Sequence, residues 1–322
     1  MHLKIDIKPF SFQLNQTLKT SKGELNTKKG WLLRIKNPRG EYGWGEVSPF
    51  DQSELEECGE LLKSLKSETS RQTLETGIAI WPGPLAFGIG AALAEIDGLI
   101  GSVKKGGWLQ APPSAILLPS SKSLFSSIDL LIKQQKPTNC PLTLKWKIAI
   151  ESKNKEKELL SQILKHLPKN ARLRLDANSG LDRIEAKEWG KHFLEEPRLE
   201  WLEQPLAPND LDGLYELGKQ IPVALDESLL IKPSLRTSWK GWQVRRPLLE
   251  GDPRILLKEL EGGVGYRMLS TSFETGIGLR WINHLAALQH QGPTPTAPGL
   301  APGWCPNSLL FSSDPKSVWE AA

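Results

Sequence analysis

The sequence has no run of about 18 apolar residues; its densest apolar stretch, residues 87–100, is broken by Glu95 and Asp97. A membrane-spanning helix is therefore not expected. Nor does one sign of charge dominate. The 41 basic and 37 acidic residues leave a formal +4 over 322 residues, too weak a field to make nucleic acid the main partner. Cysteine is scarce: Cys58, Cys140 and Cys305 lie far apart and are odd in number. That argues against a disulfide framework or a zinc site and fits a reducing cytoplasm. His2, His166, His192, His284 and His290 show no metal-ligand spacing. The glycine-rich run 262–265 lacks the pattern of a P-loop or a dinucleotide fingerprint. The first residues alternate charge with apolar side chains, without the apolar core of a signal peptide. No internal repeat is visible.

What the chain does have is core material. Hydrophobic residues make up 39% and charged residues 24%, the balance of a globular protein and not of a disordered one. The length exceeds that of a usual single domain. A large barrel with a smaller partner, or two mid-sized domains, would account for it.

The first hundred residues read as α+β. Residues 3–7 alternate apolar and polar, as a half-buried strand does. Residues 31–35 read as a second strand and 41–50 as a third strand running into a loop, with Gly23, Gly30 and Gly40 at the turns. The polar stretch 20–29 reads as a mobile loop. Ser53 reads as a helix N-cap with Glu56 three residues on, and residues 87–100 read as a second helix. After Pro112 and Pro113 the pattern changes. Short apolar strands are expected at 115–118, 142–148, 171–175, 200–203, 223–225, 241–244 and 266–270. Helices are expected at 124–133, 155–166, 183–193, 211–219, 253–260 and 279–287. Strand–helix alternation implies a parallel sheet, and so many units favour a closed barrel over an open sheet. Residues 292–306, rich in glycine and proline, read as a loop.

Three of these strands end on a carboxylate: Arg174-Leu175-Asp176, Trp201-Leu202-Glu203 and Ala224-Leu225-Asp226. In a barrel that end forms the face that carries active sites. Three converging carboxylates repel one another and pay for desolvation, a conflict that a hard divalent cation removes. Oxygen-only ligation suits Mg²⁺. The alternative is that each acid caps the helix that follows it. On the second barrel strand, Lys145-Trp146-Lys147 puts both lysines on one face. If that face is the interior, two adjacent cations make one of them a candidate general base. If Trp146 points inward, both lysines are solvated. The sixth strand ends Val244-Arg245-Arg246-Pro247. A guanidinium there steadies an anion or covers a π-system but is a poor proton acceptor, and alternation does not say which arginine points inward.

Lys145-x-Lys147, Asp176-Ala-Asn178, Glu203-Gln204-Pro205 and Asp226-Glu227-Ser228 stand in the order and context of the enolase superfamily, muconate-lactonizing branch. Within it the chain resembles the o-succinylbenzoate synthase family, through residues 43–50, 87–98 and 270–278. The resemblance implies a (β/α)7β modified TIM barrel with an N-terminal α+β capping domain. Residues 1–105 would form the cap, 106–300 the barrel, and 301–322 a segment returning to the cap. Asp176, Glu203 and Asp226 would hold Mg²⁺, with Mn²⁺ as a substitute. Lys147 would be the base, Lys145 its electrostatic helper, and Asn178, Ser270, Ser272 and Gly276 substrate-side residues. Residues 20–29 and 48–50 would be lid elements.

The implied reaction dehydrates 2-succinyl-6-hydroxy-2,4-cyclohexadiene-1-carboxylate to 2-succinylbenzoate on the way to menaquinone or phylloquinone. The partner is then a small carboxylate, with no nucleic acid or membrane. Family members usually carry lysine where this chain has Arg246. Racemases need a base on each side of the α-carbon, so Arg246 argues for dehydration over N-acylamino acid racemase or dipeptide epimerase activity. Muconate cycloisomerase and a non-catalytic barrel are the other readings. Gln204, where glutamate is common, is expected to leave the metal unaffected.

Overall fold

In the computed structural model, which describes residues 1–20, 23–103, 106–119, 124–134 and 140–322, the N-terminal part is an antiparallel sheet backed by helices. Its elements are β1 (His2–Thr20), β2 (Gly23–Lys36), β3 (Tyr42–Val47), α1 (Gln52–Ser64), β4 (Glu68–Ser70), α2 (Arg71–Ile78) and α3 (Gly83–Ile96), with strand order β3-β2-β1-β4. Period-two alternation buries both faces of this sheet. Leu3, Ile5, Leu33, Ile35 and Val47 share a core with Leu85, Ile89 and Leu93 of α3. Phe10, Phe12, Leu32 and Trp44 face the other way and meet Leu310 and Val318 from the far end of the chain. Helix α3 lies directly on β3. A Cβ at Gly43 or Gly45 would collide with the carbonyl of Ala92 or Gly88.

Two local expectations are corrected. The stretch 20–29 is not a loop: from Gly23 it is strand, and β1 and β2 pair from Lys4↔Lys36 out to Thr20↔Gly23. A ladder is made by backbone groups, so polar side chains did not prevent it; residues 21–22 of that stretch lie outside the described residues. The N-cap of α1 is Asp51, whose carboxylate accepts the Ser53 and Glu54 amides, and Ser53 lies inside the first turn.

The second part alternates strand and helix: β5 (Ile116–Leu117), α4 (Leu124–Gln134), β6 (Thr143–Lys147), α5 (Lys153–His166), β7 (Arg172–Asp176), α6 (Arg183–Glu195), β8 (Leu199–Glu203), α7 (Leu211–Gly218), β9 (Val223–Leu225), α8 (Glu227–Ile231), α9 (Leu235–Ser238), β10 (Trp242–Arg245), α10 (Pro247–Glu250), α11 (Pro253–Glu261), β11 (Arg267–Leu269) and α12 (Gly276–Gln291). The strands form one parallel sheet in chain order. It closes through residues 298–299. Pro298 accepts the Ala115 amide at 2.8 Å, the Gly299 amide donates to Leu269 at 2.8 Å, and Gly299 accepts the Thr271 amide at 2.9 Å. The eighth stave therefore lies inside the stretch expected to be a loop. It supplies backbone groups and carries no apolar alternation to betray it.

Trp201, Ala224, Val244 and Met268 fill the barrel interior. Residues two positions further on, Glu203, Asp226, Arg246 and Ser270, therefore project inward at the C-terminal mouth. Beneath them Arg174 is buried, bonded to Glu200 at 2.6 Å and to the Ala297 carbonyl at 2.7 Å, and it lies 4.1 Å from the Trp201 ring centroid. The mouth thus has a closed floor. Helix α13 (Pro315–Ala321) returns to the first sheet, where Trp319 packs on Trp44 at 5.8 Å and its carbonyl accepts Lys8 Nζ at 2.8 Å. Among the described residues no helix is long and apolar enough to cross a membrane.

Candidate active site

The orientation of β6 decides between the two readings of its lysines. Trp146 points outward, buried in the helix–sheet core with Trp189 of α6 at 6.4 Å, so Lys145 and Lys147 point into the barrel. Lys145 Nζ bridges two of the strand-end acids, 2.8 Å from Asp176 Oδ2 and 2.6 Å from Glu203 Oε1. Burial works to lower its pKa, but Asp176, Glu203 and Asp226 outweigh burial and push it above the ordinary lysine value. Lys145 is therefore not the candidate base of the pair, since its nearest charges are carboxylates. Lys147 stands in register with Asp176 across β6 and β7. Its side chain forms no hydrogen bond or ion pair with another described residue.

Of the two arginines after Val244, Arg246 points inward. Its Nε and Nη2 meet Asp226 Oδ1 and Oδ2 at 2.9 and 2.6 Å, and its Nη1 donates to the Thr271 carbonyl at 2.8 Å. Burial alone would raise the Asp226 pKa; the guanidinium outweighs it and holds the carboxyl below its ordinary range. Arg245 points outward and pairs with Glu250 and Glu259. None of the three acids serves as a simple helix cap. Asp226 stands at the N-cap position of α8 yet makes no capping bond, and Glu203 is the last residue of β8.

The turns that follow the strands are shaped for this arrangement. Asn178 and Gln204 take positive φ, 42° and 34°, a conformation that costs energy and concentrates at functional sites. The Asn178 amide donates to Asp176 at 3.0 Å, and its side chain donates to Glu227 at 3.3 Å. Gln204 is fully buried and uses both ends of its amide. It donates to the Leu206 carbonyl (3.0 Å) and Ser228 Oγ (2.7 Å), and it accepts the Asp226 and Ser228 amides, each at 3.1 Å. Ser270 and Ser272 are both buried after β11. Ser270 Oγ is 3.4 Å from the Gly299 carbonyl, and Ser272 Oγ has no partner. Gly276 faces the C-terminal segment, since a Cβ there would meet the Ser312 carbonyl.

Residues 140–236 match the family model described as enolase C-terminal domain-like. The chain is 28% identical over 287 residues to o-succinylbenzoate synthase of Thermosynechococcus vestitus, covering 84% of this chain and 85% of that protein. It superposes on the crystal structure of o-succinylbenzoate synthase from Thermosynechococcus elongatus BP-1, complexed with Mg in the active site. The TM-score is 0.82 at 25% identity, over 99% of this chain and 100% of that one. The likeness to o-succinylbenzoate synthases thus runs through most of the chain. The fold is shared with the L-Ala-D/L-Glu epimerase of Bacillus subtilis, at TM-score 0.72 and 20% identity over 95% and 91% of the two chains.

A hard divalent cation fits this mouth by donor chemistry. Its ligands would be carboxylate oxygens from three adjacent strand ends, the set that suits Mg²⁺. The acids also outnumber the bases: Asp176, Glu203, Asp226 and Glu227 face Lys145, Lys147 and Arg246. Glu227 Oε2 is buried without a partner, and burial with the charge of Asp226 raises the Glu227 pKa to about 7. As they stand, no three His, Cys, Asp or Glu side chains among the described residues form a ready metal group, because Lys145 and Arg246 occupy their oxygens. The sequence reading gave no role to Glu227, or to Gln204 as the buried support of Asp226. Glu227 had a visible signal, a second acid directly after Asp226, whereas the amide network of Gln204 is set only by the fold.

Proposed function

We propose that this lyase is an o-succinylbenzoate synthase, dehydrating 2-succinyl-6-hydroxy-2,4-cyclohexadiene-1-carboxylate to 2-succinylbenzoate for menaquinone or phylloquinone synthesis in the cytoplasm. The observation that carries the reading is an asymmetry. Among the described residues the mouth offers one amine without a hydrogen-bond or ion-pair partner, Lys147, while the opposite strand end carries a guanidinium committed to Asp226. One base suffices for an elimination, whereas racemisation needs two.

In this reading residues 1–105 cap a barrel of residues 106–300, and residues 301–322 return to the cap. Asp176, Glu203 and Asp226 hold Mg²⁺, or Mn²⁺ in its place. When bound, the ion neutralises negative charge that grows on the substrate carboxylate as the α-proton leaves. Lys147 Nζ takes that proton. Lys145, held charged by its neighbours, adds positive potential on the same side. The Lys147 ammonium then returns the proton to the departing hydroxyl, so that water leaves and the ring becomes aromatic. Arg246 faces the ring as a fixed cation and takes no proton. Asn178, Ser270 and Ser272 lie on the substrate side, the unpartnered Ser272 hydroxyl being free to receive a hydrogen bond. Gly276 serves that stretch by letting the C-terminal segment close against it.

The test is an ultraviolet assay of aromatic product with and without EDTA. Product formation abolished by EDTA and restored by Mg²⁺ is expected. Exchange of the substrate α-proton with solvent and no aromatic product would replace this reading with an epimerase.

A further inference from the structure

A chain of buried polar groups crosses from the cap to the barrel mouth. Lys28 on β2 is fully buried. Its Nζ donates to the carbonyls of Ser48 and of Pro49, the latter at 3.3 Å, and lies 4.2 Å from the Phe50 ring centroid. These three residues lie in the loop between β3 and α1. The Ser48 hydroxyl donates to Glu46 Oε1 at 2.8 Å. Glu46 Oε2 accepts the Thr275 amide (2.9 Å), the Thr275 hydroxyl (2.6 Å) and the Gly278 amide (3.2 Å). A carboxylate of the cap thus satisfies open amides in the first turn of barrel helix α12.

On the barrel side, Glu274 accepts the Thr271 hydroxyl at 2.5 Å and the Ser272 amide at 2.7 Å. The Thr271 carbonyl holds Arg246. Phe50 meets Phe273 at 6.2 Å, and Phe273, with φ of 60°, stacks on Trp304 at 5.5 Å. Every step from Lys28 to Asp226 is thus a hydrogen bond, an ion pair or a covalent link.

Burying an ammonium and two carboxylates is a costly way to glue two surfaces, since apolar side chains of similar volume do so at least as well. What the polar chain adds is direction, because each hydrogen bond fixes one atom against another. We infer that Lys28 and Glu46 are positioning residues for the mouth, fixing the cap loop 48–50 against the barrel loop 271–275 and, through Thr271, the guanidinium of Arg246. Neither touches the reacting atoms. The inference deepens the proposed dehydration and rests on it only for its kinetic readout.

Hydrogen exchange followed by mass spectrometry on the full chain, without substrate, tests the coupling directly. Lys28→Met removes a cap ammonium, yet it should raise exchange about tenfold in 271–278 as well as in 46–50, the signature of one cooperative unit. Thr275→Val removes the hydroxyl from the barrel end and should raise exchange in 46–50. A rise confined to the side of the substitution overturns the inference, and Thr275→Val decides it alone if Lys28→Met does not fold.

In the dehydration assay Lys28→Met should raise KM about tenfold while kcat stays within about threefold. A lower melting temperature with unchanged KM and kcat would reduce Lys28 to a structural residue. Wild-type protein inactive on the cyclohexadiene would sink the dehydration and leave the exchange result to judge the latch.

Discussion

Arg246 meets both oxygens of Asp226, Nε at 2.9 Å and Nη2 at 2.6 Å, in a parallel fork between β10 and β9. Such a fork fixes direction as well as charge. It also leaves that strand end with a cation bound to a carboxylate.

Replacing that fork should separate charge from shape. Arg246→Lys keeps a cation near Asp226 and should retain kcat/KM within about tenfold. Arg246→Ala leaves a buried carboxylate unpaired, a loss of about 3 kcal/mol or more, and should cut kcat/KM at least a hundredfold. Equal activity in the alanine variant and the wild type would remove Arg246 from the site.

Lys147 has a different signature, because no ion pair among the described residues depends on it. Lys147→Ala should lower turnover by at least about 10⁴-fold while the melting temperature and the affinity for Mg²⁺ by calorimetry stay close to wild type. Substantial residual turnover would transfer the role of base to another group.

Gln204 is supported by four hydrogen bonds that need one donor end and one acceptor end. Gln204→Glu keeps the volume but sets a carboxylate against the Leu206 carbonyl. The expected cost is on the order of 1–3 kcal/mol, read as a lower urea midpoint, since the donor to the Leu206 carbonyl is lost while the acceptor for the Asp226 and Ser228 amides remains. A variant with the wild-type midpoint would show that the Leu206 contact adds nothing to stability.

The cap–barrel boundary should make stability depend on pH in two opposite limbs. Burial raises Glu46 to about 7, against the hydrogen bonds from Thr275 and Ser48 and together with the charge of Glu274. Burial lowers Lys28 to about 8, while Glu274 and Glu46 pull it back up. Between its ordinary 4.5 and about 7, folded Glu46 keeps a proton that the unfolded chain has released, so stability falls as pH rises through that window. Between about 8 and 10.5, folded Lys28 lacks a proton that the unfolded chain keeps, so stability climbs with pH there. Urea midpoints should therefore dip between the two windows. Glu46→Gln should flatten the acid-side limb and Lys28→Met the alkaline one, each by up to a few kcal/mol. If Glu46→Gln runs parallel to wild type from pH 5 to 7, the burial argument for Glu46 is wrong.

Much of this molecule is legible in its sequence, for identifiable reasons. Strand–helix alternation past Pro113 marks the barrel because buried parallel strands need unbroken apolar runs, and residues 223–225 were bounded as the structure has them. The acids at the ends of β7, β8 and β9 were visible because a charge directly after an apolar run has few structural uses. The eighth stave was hidden, since Pro298 and Gly299 contribute backbone groups to the barrel and no side-chain pattern. The first hairpin was hidden because Thr27, Lys28 and Lys29 look like loop residues until Lys28 is seen to turn into the boundary. Whether Arg245 or Arg246 faces the pore depends on strand register, which is fixed by neighbours such as Met268 across the ladder.

The route of the chain after the barrel also bears on synthesis. Phe10, Phe12 and Trp44 are shielded by Leu310 and Val318, which lie roughly three hundred positions downstream. On a ribosome that apolar surface waits, at about 5–20 residues per second, for some fifteen seconds to a minute before its cover emerges. Nascent chains halted after the last barrel helix should therefore expose an oily patch on an otherwise finished sheet, where chaperones would be expected to bind.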